Sequence, residues 1–338
     1  MVFVTGATGL LGSHLLLELL RRGEPVRALA RVGSDLGKVQ ALFRWYGPEA
    51  ETGWERIEWV FGDILEIPFM ETALEGIGQV YHCGAMISFD PADEETLLKV
   101  NWEGTRNLVN LCLALGVPTF CQVSSIATLG GIGAVCTEAD TSEPGGTSGY
   151  AISKYLAEME VWRGGQEGLN TVIVNPGVIL GPGPWNRGSS RFFAETASGL
   201  RFSPPGGTGF VGVRDVARAM LELTAASCFG ERFILVSENL GYGDLIGLIA
   251  RRLQVPAPRK TLRAWQLEAL WRLDWVRMLL GGKGRKLSKA SARSLKRRKI
   301  YSNDKIRQRL GFEFEAIESV VGEVAAYYRA HPPDRRKG

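Results

Sequence analysis

The feature that most constrains this chain is its opening stretch, Val2-Phe3-Val4-Thr5-Gly6-Ala7-Thr8-Gly9-Leu10-Leu11-Gly12-Ser13-His14. A β-branched and aromatic run is followed by three glycines at a spacing of three, then by an apolar helical pattern from Leu15 to Leu20. A buried strand, a glycine turn and a helix in that order suit a phosphate. Backbone without a Cβ allows close approach, and the free N–H groups and dipole of a helix N-terminus attract an anion. The commoner dinucleotide fingerprint is G-x-G-x-x-G, whereas this turn is G-x-x-G-x-x-G. The turn alone therefore leaves an ordinary glycine-rich strand–helix connection open.

The bulk properties narrow the class. A length of 338 residues allows one large domain or two of ordinary size. A hydrophobic share of 45% and a charged share of 22% are those of a soluble globular protein. No run of about 18 apolar residues predicts a transmembrane helix. The N-terminus has neither a basic start nor a cleavage site, so no secretory signal and a cytoplasmic protein are expected. The five cysteines lack CxxC pairing and read as reduced thiols. His14, His82 and His331 have no acids or cysteines at ligand spacing, so no zinc site is expected. A net charge of +4 does not imply nucleic acid.

Strand patterns at 25–30, 56–61, 79–82, 119–124 and 171–175 alternate with helical patterns at 35–46, 69–74, 92–115 and 150–163. This alternation predicts an α/β fold, a doubly wound parallel sheet of the Rossmann type with both faces covered. Ligands in such sheets bind beyond the carboxyl ends of the strands. The glycine turn, Arg31, Asp63, His82 to Ala85, Ser124-Ser125 and Asn175 to Gly177 all fall at such ends. From Leu180 glycine and proline break the pattern. A helix at 214–225 and a strand at 232–236 are expected to return to the main sheet. The expected division is a nucleotide-binding domain of 1–178 plus about 211–238. A smaller, mainly helical substrate lobe would comprise 179–210 plus 239–330, with 331–338 as a tail.

Tyr150-Ala151-Ile152-Ser153-Lys154 sets a phenol and an ammonium on one helix face. To exchange a proton near neutrality, a tyrosine pKa must fall by about 3, worth about 4 kcal/mol. A neighbouring lysine cation, helped by an oxidised nicotinamide, can supply that. Ser125, ending the fifth strand, is the candidate to hydrogen-bond the substrate oxygen. Tyr-x-x-x-Lys also arises often by chance at a solvated helix start, so its weight comes from the company of the glycine turn and the serine.

Taken together, these segments resemble the extended short-chain dehydrogenases/reductases, the NAD-dependent epimerase/dehydratase superfamily. The resemblance runs from Val2 to about Tyr328. It is carried by Thr5 to Gly12, Gly62-Asp63-Ile64, Val100 to Thr105, Val123-Ser124-Ser125, Tyr150-x-x-x-Lys154, Asn175-Pro176-Gly177, Ser302 to Lys305 and Leu310-Gly311-Phe312. It implies Tyr150 as acid/base, Lys154 as its partner and a ribose ligand, and Ser125 as the carbonyl-orienting hydroxyl. It implies cofactor contacts from Gly6, Thr8, Gly9, Leu10, Leu11, Gly12, Ser124, Pro176, Gly177 and Val178. Asp63 would meet adenine with Ile64 beside it, and Cys83, Gly84 and Ala85 would line the cofactor. Asn101 would brace the central helix. The helices at 92–115 and 150–163 would form a homodimer contact in such proteins; burial within one subunit is the alternative.

Cofactor choice follows from the second strand. NAD sites place Asp or Glu at its end, for the ribose 2′-hydroxyl. Here Arg27-Ala28-Leu29-Ala30-Arg31 ends in a guanidinium, which can bind a 2′-phosphate bidentately. NADP(H) is expected, with Arg31 as the main ligand and Lys38 a weaker one; NAD(H) is the second choice.

Two chemistries compete within the resembled family: nucleotide-sugar epimerisation or dehydration, and net carbonyl reduction as in dihydroflavonol reductase-like and 3β-hydroxysteroid dehydrogenase-like members. Sugar epimerases often carry Asn-x-Tyr-Gly-Pro after the sixth strand. Asn175-Pro176-Gly177-Val178-Ile179-Leu180-Gly181-Pro182 looks more like the reductase branch. The reading favoured is an NADP(H)-dependent reductase of a ketone or aldehyde on a mainly apolar or lipid-like small molecule. The alternatives are a nucleotide-sugar enzyme, with Arg187, Arg191 and Arg201 as pyrophosphate ligands, and a non-catalytic NADP(H) sensor or scaffold. Leu262 to Leu280 is unusually apolar, and Lys283 to Lys299 is basic and free of acids. A core helix followed by a solvated basic helix is the plain account. A hydrophobic mouth with peripheral membrane contact through 261–299 is the sharper one. No aromatic-interleaved basic surface points to nucleic acid.

Overall fold

The computed structural model describes residues 1–130, 134–141, 148–185, 188–281, 285 and 287–333. The chain opens with β1 (Val2–Thr5), α1 (Leu10–Arg21), β2 (Val26–Ala30), α2 (Leu36–Trp45), α3 (Pro48–Trp54), β3 (Ile57–Phe61), α4 (Ile67–Ala73) and β4 (Gln79–His82). A long helical stretch follows as α5 (Glu94–Leu97), a π-helical segment (Leu98–Glu103) and α6 (Gly104–Ala114). Next come β5 (Thr119–Val123), β6 (Val135–Cys136), α7 (Gly149–Gln166), β7 (Asn170–Pro176) and β8 (Val178–Leu180). Then follow α8 (Arg191–Ala197), β9 (Phe202–Ser203), β10 (Gly207–Gly212), α9 (Val213–Ala225), β11 (Glu231–Leu235) and β12 (Glu238–Gly241). The chain closes with α10 (Tyr242–Leu253), β13 (Lys260–Thr261), α11 (Ala264–Leu279), α12 (Lys289–Lys296), β14 (Ile300–Tyr301), α13 (Asp304–Leu310) and α14 (Ile317–Ala330).

Seven strands form one parallel sheet in the order β3-β2-β1-β4-β5-β7-β11. Both faces are covered, and the strand residues divide alternately between two cores. Val2, Val4, Cys121, Val172, Val174 and Phe233 face a large cluster with α1, α9 and α14. Phe3, Val80, Phe120 and Ile173 face a second cluster with α4, α6 and α7. The strand order reverses between β1 and β4, where Thr5 is paired with His82. That switch point opens a crevice at the carboxyl ends.

The elements expected from the sequence match within a few residues; the interruption of one helix, an additional helix and the short strands β8, β9, β10 and β12 were not expected. The expected helix at 92–115 is interrupted by the π segment, which carries Asn101. Such an insertion re-aims a side chain: Asn101 accepts from Met86 N at 2.7 Å and donates to Met86 O and Ser153 Oγ, both at 2.9 Å. The unforeseen α3 starts on Pro48, a residue suited to a first helical turn. Beyond the main sheet, β10 pairs in parallel with β8 and antiparallel with β12. Arg187, Lys283, Lys286 and 334–338 lie outside the described residues.

β11 comes late in the chain yet completes the main sheet beside β7. Phe233 at its centre is fully buried. Phe233→Ala is expected to remove about 3–5 kcal/mol of stability, read from urea unfolding. A loss below about 1 kcal/mol would mean that β11 is only loosely attached.

Candidate active site

The glycine turn does three different jobs. Gly6 sits at φ +64°, and a Cβ there would lie 2.6 Å from Gly84 N. A Cβ on Gly12 would lie 2.2 Å from Gly6 O. These two glycines let α1 close down on its own turn and on the end of β4. Gly9 is exposed and caps α1 without a side chain. The turn is closed by Gly9 N donating to Gly6 O at 2.9 Å. The first N–H groups of α1 thus end at a surface that no side chain of the cap covers, and a diphosphate fits such a cradle. Thr8 and Leu10 flank Gly9 half-buried, and Leu11 is buried.

The other strand ends line the same edge of the sheet. Arg31 follows β2 directly and is exposed; no ion pair involves it among the described residues. Lys38 is also exposed but pairs with Asp35 at 3.2 Å. Asp63, after β3, accepts from Leu65 N at 2.9 Å, and Ile64 packs toward Gly104. After β4, Cys83 is pushed up to about 12 by burial, so it is a neutral, unreactive thiol. Gly84 is half-buried and Ala85 exposed. At the junction of β7 and β8, Pro176 is buried, and Gly177 and Val178 are half-buried. A Cβ on Gly177 would lie 2.4 Å from Gly209 O.

The chemistry-bearing residues converge between β5, β7 and α7. Ser125 caps the 3-10 turn at Ile126–Thr128, accepting from Ala127 N at 3.1 Å. The same hydroxyl is a polar neighbour of the Tyr150 phenol. Burial raises the Tyr150 pKa, and the neighbouring Ser125 hydroxyl works against that rise. The phenol is therefore held neutral, the form that can donate a proton. Lys154 is 2% exposed and donates to Val123 O at 2.6 Å. Burial draws its ammonium down to about 8, opposed by the carboxylate of Glu158. Burial is the largest influence on the phenol in this structure.

Several residues here escaped the sequence reading. Glu158 is fully buried one helical turn beyond Lys154. It accepts from Ser124 Oγ, from Thr128 Oγ1 at 2.7 Å and from Asn175 Nδ2 at 2.6 Å, and pairs with Arg232 at 3.3 Å. The Ser124 hydroxyl is thus turned inward, away from the surface that a cofactor would meet. An acid at i+8 from Tyr150 and i+4 from Lys154 was the available signal. Arg232 had none, because only the sheet brings β11 beside α7.

His82 has no metal-binding company, and no such cluster occurs among the described residues. It links the two halves of the site. Thr105 Oγ1 donates to Asn101 O at 2.6 Å, so it can only accept from His82 Nε2–H at 3.0 Å. The imidazole Nδ1 must then accept from Thr5 Oγ1 at 2.6 Å, and Thr5 in turn accepts from Gly84 N at 3.1 Å. This directional chain continues through Asn101 and Ser153 to Tyr150 O.

The sequence pattern of the NAD dependent epimerase/dehydratase family matches residues 2–232. The chain belongs to this family. It is an NAD(P)-dependent short-chain dehydrogenase/reductase of the extended type. It is 29% identical over 336 residues to "Sterol demethylase protein B" of Methylococcus capsulatus, with 96% of this chain and 97% of that protein covered. It is 28% identical to a "Putative dihydroflavonol 4-reductase" of Synechocystis, covering 97% and 94% of the two chains. The solved structure of gox2253 superposes with a TM-score of 0.82 at 28% identity, covering 98% of each chain.

The buried imidazole gives this family member a pH signature. Burial draws the His82 pKa from 6.5 down to about 3. Between those values the unfolded chain binds a proton that the folded chain refuses, so stability falls as pH drops below 6.5. His82 should account for about 2 kcal/mol of the loss between pH 6.5 and 5. Urea unfolding at pH 7 and pH 5 should show that loss reduced by about this amount in His82→Gln. An unchanged pH 7-to-5 difference would contradict the assignment.

Proposed function

We propose that this enzyme is an NADP(H)-dependent reductase of a ketone or aldehyde on a mainly apolar small molecule. The observation that carries the reading is the setting of Tyr150. Its neutral phenol has the Ser125 hydroxyl as a polar neighbour, and its ring lies 5.9 Å from Phe89 in an edge-on contact. Ile87 and Phe89 are exposed on the loop after β4. That loop is tied down by Ser88 Oγ donating to Asp93 at 2.6 Å and by Asn101 holding Met86. An apolar body placed against Ile87 and Phe89 would present its carbonyl to Ser125 and Tyr150.

The Gly6–Gly12 cradle would hold the diphosphate, Arg31 the 2′-phosphate, and Asp63 with Ile64 the adenine end. When bound, the reduced nicotinamide supplies a hydride to the carbonyl carbon. Ser125 orients the carbonyl oxygen, and Tyr150 gives that oxygen its proton. The Lys154 ammonium, one helical turn along α7, would stabilise the phenolate left behind. The names of the reductase and sterol-related relatives support net redox on apolar molecules. Of the arginines that could hold a nucleotide-sugar pyrophosphate, Arg191 is engaged with Glu195 at 2.7 Å.

Tyr150→Phe is expected to lower kcat by about 10²–10⁴-fold, while NADPH binding measured by fluorescence titration stays near the parent value. Retained turnover would refute the proton-donor role. The parent enzyme should show a higher kcat/KM with NADPH than with NADH, and Arg31→Ala should cut the NADPH value by about tenfold or more, one strong charged hydrogen bond. A parent preference for NADH would overturn the cofactor assignment.

A further inference from the structure

α11 is turned inside out. Its inward positions are Leu267, Trp271, Asp274 and Met278, of which only Leu267 and Asp274 are buried. Asp274 pairs with Arg277 at 2.8 Å and accepts from Leu287 N at 3.0 Å. The opposite face is apolar. Trp265, Val276 and Leu279 follow one another at 0, +11 and +14, a single helix stripe. Leu273 and Leu280 flank it on one side and Trp275 on the other. Trp265 is 63% exposed, Leu273 65%, Leu279 66% and Leu280 83%. The expectation of a core helix here is therefore corrected: two tryptophans and several leucines face outward. Apolar surface of this extent marks an interaction site.

Charge identifies the occupant. Residues 259–299 hold fourteen Lys and Arg against two carboxylates, a net +12. The whole chain carries +4, so the remainder nets −8. The two acids are already neutralised within the segment. Glu268 bonds Arg272 and Lys296, and Asp274 bonds Arg277. Exposed Arg259, Lys260 and Arg263 precede the apolar helix, and exposed Lys289, Arg297 and Arg298 follow it. α12 packs directly on α11. An apolar helix face with cations at both ends matches an anionic bilayer surface, where indole and leucine side chains enter the acyl boundary and basic groups meet the lipid phosphates. A nucleic acid would use the charge but leave the apolar stripe uncovered. No helix among the described residues is long and apolar enough to cross a membrane, so the contact is peripheral.

We propose that α11 and its basic flanks dock this enzyme on the surface of an anionic membrane, with the Trp265–Val276–Leu279 stripe inserted at the interface. The inference does not depend on the reaction assigned above.

The test is vesicle co-sedimentation of the full chain at low and high ionic strength. The probes are phosphatidylcholine vesicles with and without about one-third phosphatidylglycerol. Expected are binding to the anionic vesicles at least about tenfold tighter than to the neutral ones, and weakening by salt. The triple variant Trp265→Ser, Leu273→Ser, Leu279→Ser alters only exposed side chains. It should keep the parent's fold by circular dichroism and bind at least about tenfold more weakly. Its turnover in vesicle-free buffer should stay at the parent level. Absence of parent binding to anionic vesicles at low salt would overturn the proposal. So would equal binding of parent and triple variant, which would leave charge alone at work. Binding of a mixed-sequence oligonucleotide in place of vesicles would also overturn it, as would a parent dimer that the triple variant dissolves, since a second copy would then cover the stripe.

Discussion

A fully buried carboxylate holds this site together. Glu158 cannot stay charged in the interior without partners, and the fold gives it four. Ser124 follows directly on β5, Thr128 lies in the turn after it, Asn175 is in β7 and Arg232 in β11. Each comes from a different place in the chain, so satisfying one charge registers the ends of three strands against α7. The same helix carries Lys154 one turn earlier and Tyr150 two turns earlier. The phenol and the ammonium are thus positioned from beneath by a largely buried polar cluster. Removing Arg232 would leave the buried carboxylate without its ion-pair partner, which costs far more than one lost hydrogen bond.

A second polar line joins other parts of the site. His82 connects the glycine turn, through Thr5 and Gly84, to Asn101 and on to the start of α7. Its neutrality matters because a second proton would convert an acceptor into a donor facing the Thr5 hydroxyl. The π-helical segment around Asn101 belongs to this line. It spends regular helix geometry to aim one amide at the Met86 backbone and at Ser153. The glycine turn after β1 and Tyr150 at the start of α7 are therefore joined by hydrogen bonds, although more than a hundred residues separate them.

The carboxy-terminal region follows different physics. The main sheet hides its apolar residues on two faces, whereas α11 hides a carboxylate and shows its tryptophans. Binary patterning could not reveal this, because apolar residues surround the helix on nearly every side. The direction it faces is decided by α12, whose Lys296 meets Glu268, and by Leu287 just before α12, whose N–H meets Asp274.

Much of the fold was legible in one dimension. Alternating strand and helix patterns determine a parallel sheet because crossover connections cover both faces, and the strands' continuous apolar runs follow from that burial. Gly6 and Gly12 were legible because backbone packing excludes any Cβ there, while Tyr150 and Lys154 were legible because helical spacing is local. Glu158 lay in the same spacing, but nothing local shows that an acid is buried. Arg232, Thr128 and the His82 tautomer were decided only when distant strands met, since each is defined by partners far away in sequence. The sequence by itself determined which groups stand at the strand ends; the tertiary structure decided which of them are desolvated, and desolvation is what sets their charge, their hydrogen-bond direction and the outward face of α11.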